Sequence, residues 1–108
     1  MSHEPLPDAA LVDGSRVWRK APQVELHWRD WGADSVVFEA RSGQTLQFAP
    51  LAAAVMASFE EHACSFEDLS VTMAHDLGTT LDNELRSALT SIVEQFDRLG
   101  WIEPIEPP

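Results

Sequence analysis

From residue 23 to residue 50 apolar and polar side chains alternate, and from Pro50 onward the apolar ones recur every three or four residues. The first spacing is that of a strand with one buried face, the second that of an amphipathic helix. Val24, Leu26 and Trp28 alternate with Glu25, His27 and Arg29, which predicts a strand carrying three large apolar groups on its inner face. Asp30-Trp31-Gly32-Ala33-Asp34 reads as a turn, and residues 35–41 (SVVFEAR) are rich in β-branched and aromatic types suited to a second strand. Ser42-Gly43 separates that run from residues 44–49, where Leu46 and Phe48 alternate with Thr45 and Gln47, the pattern of a hairpin. The prediction is a three-stranded antiparallel meander.

Three helices are predicted to follow. Pro50 suits a first helical position, and Leu51, Val55, Met56 and Phe59 share a face of a helix that ends near His62. Ser65 before Glu67 and Asp68 reads as a cap, with Phe66, Leu69, Met73 and Leu77 as the apolar stripe and Gly78 as the stop. The strongest period is over residues 81–99. Leu81, Leu85, Leu89, Ile92, Phe96 and Leu99 lie within about 40° of one line at 100° per residue, and Gly100 ends the run. Trp101-Ile102 is expected to fold back onto the core. The order defines an α+β fold, a three-stranded antiparallel meander followed by three helices, and the last two helices joined by Gly78-Thr79-Thr80 have the outline of a helix-turn-helix.

At 108 residues the chain is the size of one domain. Prolines and scattered acids at both ends predict a flexible arm over residues 1–15, a domain over 16–103 and a flexible tail over 104–108. Charge adds a division that the period does not show. The formal net charge is −11; up to Ala49 there are seven acids and five bases, net −2, and from Pro50 onward eleven acids and two bases, net −9. Polyanions are therefore disfavoured as partners, since Lys and Arg supply most non-specific affinity for phosphate backbones. The acidic helical half favours a basic partner through steering and complementarity. A lone cysteine, Cys64, and the lack of a membrane-length apolar run lead to the expectation of a soluble cytoplasmic protein.

Little in the chain suggests catalysis. His3, His27, His62 and His75 have no zinc spacing, and His62 with Cys64 falls short of the four ligands of a structural zinc site. Glu60-Glu61 and Glu67-Asp68 are neighbours on helices and so diverge, which makes them solvated helix ends rather than an acid/base pair. No phosphate-binding glycine loop or nucleophile elbow is present, and Cys64 has no basic neighbour. The expectation is no enzyme, no metal and no cofactor. Of the four tryptophans, Trp28 is read as core, while Trp18 or Trp31 could serve as an exposed anchor for a partner.

The Trp18-Arg19-Lys20-Ala21-Pro22 segment, the Ser42-Gly43-Gln44-Thr45-Leu46 hairpin, the helix from Leu51 to Phe59, the Phe66/Leu69 helix and the closing Leu99-Gly100-Trp101-Ile102 together resemble the PqqD-like family. These are small peptide chaperones, or recognition elements for ribosomally synthesised, post-translationally modified peptides. Trp28-Arg29-Asp30-Trp31 suggests the subgroup that accompanies a kinase related to the HPr kinase. The resemblance spans roughly residues 17–103. It implies a winged-helix-like domain, without enzymatic activity, that takes a precursor's leader peptide as an added strand on the meander's third strand, beside the third helix, and presents it to a modifying enzyme. On this sequence the implied peptide-binding residues are Thr45, Leu46, Gln47 and Phe48, with Glu84, Leu85, Ala88, Ser91, Ile92 and Gln95 on one shoulder of the helix. The opposite shoulder carries Asp82, Arg86 and Val93.

Alternatives are a winged-helix regulator and an accessory subunit of an enzyme complex that acts by protein–protein contact. A DNA-reading role sits badly with residues 81–99, where Asp82, Glu84, Glu94 and Asp97 outnumber Arg86 and Arg98. The expected partners are a basic leader peptide and a modifying enzyme or HPr-kinase-related kinase, with neither nucleic acid nor membrane. A homodimer through the third strand is a further expectation, because an edge strand can pair with a copy of itself.

Overall fold

The computed structural model describes residues 16–105. The strands are β1 (Val17–Lys20), β2 (Leu26–Trp31), β3 (Asp34–Glu39), β4 (Gln44–Phe48), β5 (Cys64–Ser65) and β6 (Ile102–Pro104); the helices are α1 (Pro50–Glu61), α2 (Phe66–Asp76) and α3 (Asn83–Leu99). The expected arm over residues 1–15 and the end of the expected tail lie outside the described residues.

The fold is mixed α+β with two three-stranded antiparallel sheets, where the sequence pattern predicted one. One sheet has the order β2-β3-β4, and the other β5-β1-β6. The second sheet draws on residues that carry no local strand signal. Trp18 pairs with both Cys64 and Pro104, and Arg19 stands opposite Glu103, whose carboxylate it also meets at 2.7 Å. Pro104 therefore belongs to a strand and not to a frayed tail; β6 is an edge, so the missing N–H costs no ladder bond.

The helices end where their residues dictate. Ser65 caps α2 by accepting from the Asp68 N–H at 3.0 Å, and Asp82 caps α3 by accepting from the Leu85 N–H at 2.9 Å. The third helix thus starts at Asn83, and Leu81 lies ahead of it. Gly100 closes it with φ +75°, a left-handed conformation natural to glycine, and the Trp101 N–H returns to the Phe96 carbonyl at 3.0 Å. That reversal seats the Trp101 ring on Phe96, 6.2 Å away and nearly parallel.

The core joins both sheets to all three helices through Trp18 of β1, Val37 of β3, Phe48 of β4, Met56 of α1, Leu69 of α2 and Phe96 of α3. Trp18 is fully buried and so is not an exposed anchor, whereas Trp31 is 64% exposed; Trp101 is fully buried. Trp28 reverses the expectation of a core residue. It is 37% exposed at the edge strand β2, and its indole N–H donates to the Glu60 carboxylate on α1. Leu77 likewise lies past the end of α2 and is exposed.

Candidate functional site

β4 is the outer strand of its sheet, and the hydrogen-bonding phase of the ladder determines which of its main-chain groups point outward. The Ala40 N–H donates to the Glu25 carbonyl at 2.9 Å, one residue beyond the Leu26–Glu39 pair. Bonded pairs alternate along an antiparallel ladder, so His27–Phe38 and Arg29–Val36 are also bonded pairs. The intervening β3 residues Ser35, Val37 and Glu39 then turn toward β4, where their partners are Phe48, Leu46 and Gln44. Thr45 and Gln47 are left with N–H and C=O directed away from the sheet. Among the described residues no strand lies along that side.

Side chains alternate across the same strand. Leu46 and Phe48 face the core, half-buried and buried respectively, whereas Thr45 and Gln47 are exposed. Gln47 donates through Nε2 to Asp34 at 2.8 Å, which braces β4 against the β2–β3 turn. β4 meets α3 at Phe48, whose ring stands edge-on to Phe96 with centroids 5.3 Å apart and edge-on to Trp101 at 5.7 Å.

On α3 the buried side chains are Leu89, Val93, Phe96 and Asp97. Their mean direction is turned roughly 60° from the line of leucines that the sequence singled out, toward Val93. The Val93 shoulder is therefore inside the protein at its C-terminal end. Leu85, Ala88 and Ile92 are half-buried along the opposite flank, and Glu84, Ser91 and Gln95 are exposed beside them. The accessible shoulder is the one with Ala88.

The turn that leads into β4 is held by a group with no sequence signal. Glu39 looks like a surface acid, yet its side chain is 1% exposed. It accepts main-chain N–H bonds from Arg41 and Ser42 at 2.9 Å and from Glu25 at 3.2 Å. Burial pushes its carboxyl up, but those donors together outweigh it and hold the pKa at about 2. Gly43, at φ +74°, completes the turn by donating its N–H to the Glu39 carbonyl.

No protein-family model, curated protein or solved structure matches this chain. Among the described residues no group of three or more His, Cys, Asp or Glu side chains is placed to hold a metal ion, and no helix is long and apolar enough to cross a membrane. Cys64 is buried, and burial followed by the nearby Asp68 carboxylate raises its thiol pKa, while a hydrogen bond with the Ser58 side chain opposes the rise.

Proposed function

We propose that the chain is a non-enzymatic peptide-binding adaptor of winged-helix-like type, which captures an extended leader peptide as an added strand on β4 and presents it to a modifying enzyme. The observation that carries this reading is the outward main chain of Thr45 and Gln47 on an edge along which no strand lies among the described residues. Such an edge bonds any extended peptide, and neighbouring side chains select among them. Half-buried Leu46 on β4 and Leu85, Ala88 and Ile92 on α3 supply apolar surface for alternate residues of the added strand, while Phe48, itself buried, holds the end of β4 in place. Glu84 on the accessible shoulder, with Ser91 and Gln95, favours a peptide that carries Lys or Arg. The resemblance to PqqD-like peptide chaperones supports the same reading and points to an HPr-kinase-related kinase as the enzyme served.

The test is an amide chemical-shift titration with small basic peptides encoded beside this gene. Shifts concentrated at residues 44–48 and on the Ala88 flank of α3 are expected. Shifts confined to other surfaces, or none with any such peptide, would overturn the proposal. Light scattering with and without peptide separates it from self-pairing of β4, which a bound peptide would compete away.

A further inference from the structure

The β2-β3-β4 sheet has a second face, turned away from α1, and it is unlike the rest of the molecule. Of the nine Trp and Phe side chains only Trp28, Trp31 and Phe38 are exposed, and all three belong to β2 and β3. Trp28 turns toward α1. Trp31, 64% exposed, and Phe38, 42% exposed, lie on the outer face, where the strand alternation also places His27, Arg29 and Val36. The His27 ring is tilted against Phe38 with centroids 6.1 Å apart. An open cleft of about 270 Å³ is lined by His27, Trp28, Arg29, Val36 and Phe38.

Among the described residues the charges on this face leave one cation without a carboxylate. Asp34 accepts from Gln47, and Glu25 lies 3.3 Å from His27 Nε2. Among the described residues no carboxylate comes within 4.0 Å of the Arg29 guanidinium, although acids outnumber bases 18 to 7 in the chain. An arginine beside exposed aromatic rings, set apart from the protein's own acids, is the composition of a protein-binding hot spot.

We propose that this outer face docks a partner protein which offers an aliphatic or aromatic side chain next to a carboxylate, the apolar group entering the cleft and the carboxylate pairing with Arg29. Charge complementarity selects that occupant over a second copy. A two-fold contact through this face would bring two chains of net −11 together with Arg29 near Arg29. The face is opposite to the core side of the sheet and adjoins the β4 edge, since Phe38 and Val36 pair with Thr45 and Gln47. Docking here uses side chains and strand addition uses the β4 main chain, so Thr45→Pro, which blocks only the latter, separates the two proposals.

A phage-displayed library of random short peptides, selected on the full chain, provides the probe. Recovered peptides are expected to pair Asp or Glu with Leu, Ile, Phe or Trp and to shift the amides of His27, Arg29, Val36 and Phe38. Arg29→Glu should weaken them about tenfold or more, as loss of an interfacial charge pair does. Phe38→Thr should abolish binding while keeping the wild-type unfolding temperature within a few degrees, because that side chain is outside the core. Three outcomes would overturn the proposal: no recovered peptide maps to this face, Arg29→Glu leaves affinity unchanged, or the wild type is a dimer that Trp31→Ser dissociates, which assigns the face to a second copy.

Discussion

Phe48, the last residue of β4, stands edge-on to Phe96 of α3 with ring centroids 5.3 Å apart and planes at 74°. This contact fixes the end of the candidate strand against the helix beside it. Phe48→Ala should cost about 3–5 kcal/mol of folding stability, as other buried Phe truncations do. A double-mutant cycle with Phe48→Leu and Phe96→Leu, read by chemical denaturation, should give a coupling of about 0.5–1.5 kcal/mol, and a value near zero would show that the rings are neighbours without interacting.

The ladder phase of β4 makes adjacent positions respond oppositely to proline. Thr45→Pro removes an N–H that points outward, so the fold should survive at a cost of about 1 kcal/mol while strand addition by a peptide is lost. Leu46→Pro removes an N–H bonded to β3 and should cost about 3 kcal/mol or more. Circular dichroism and peptide titration of the two variants check this pair. If Thr45→Pro binds peptide as the wild type does, the edge is not the site.

Glu39 gives the protein a defined acid sensitivity. Its folded pKa of about 2 lies below the ordinary 4.5, so its stabilisation is complete above pH 4.5 and fades as the pH falls through 2. Glu39→Gln should lower stability at pH 7 by about 1.5–3 kcal/mol, the range for hydrogen bonds to a charged group. The difference in unfolding free energy between wild type and variant should narrow as the pH is lowered from 4.5 toward 2. A difference independent of pH across that interval would contradict the assignment.

The Cys64 thiol is both covered and raised in pKa, the opposite of a reactive cysteine. A thiol reagent at pH 8 should label the native protein much more slowly than the urea-unfolded chain. Comparable rates in the two states would show that β5 opens readily.

The parts legible in the sequence are those whose partners are near in the chain. The helices were readable because periodic apolar residues, the Ser65 cap and Gly100 all act within a turn or two. The Ser42-Gly43 turn and the alternation around Leu46 and Phe48 were readable for the same reason. The β5-β1-β6 sheet was not. Its strands are two to four residues long, include Arg19, Lys20 and Pro104, and acquire meaning only from each other. Trp28 was misplaced because alternation gives the face of a side chain but not how far α1 extends over it. The line of leucines on α3 misjudged the buried side because Leu81 lies outside the helix, whereas Val93 and Asp97 are covered by neighbours that the helix itself does not reveal. Among the candidate site residues, the alternation separated Leu46 and Phe48 from Thr45 and Gln47, but the outward direction of the Thr45 and Gln47 main chain followed only from the Ala40–Glu25 bond.

The pairing of Arg19 with Glu103 spans 84 positions. During synthesis β1 is made first among the described strands and waits for β6 until nearly all the rest of the described fold has left the ribosome. Until then the side of β1 that faces β6 has no strand partner among the described residues, although β5 already flanks Trp18 on the other. Closing that side of the ladder therefore requires residues from both limits of the described fold at once.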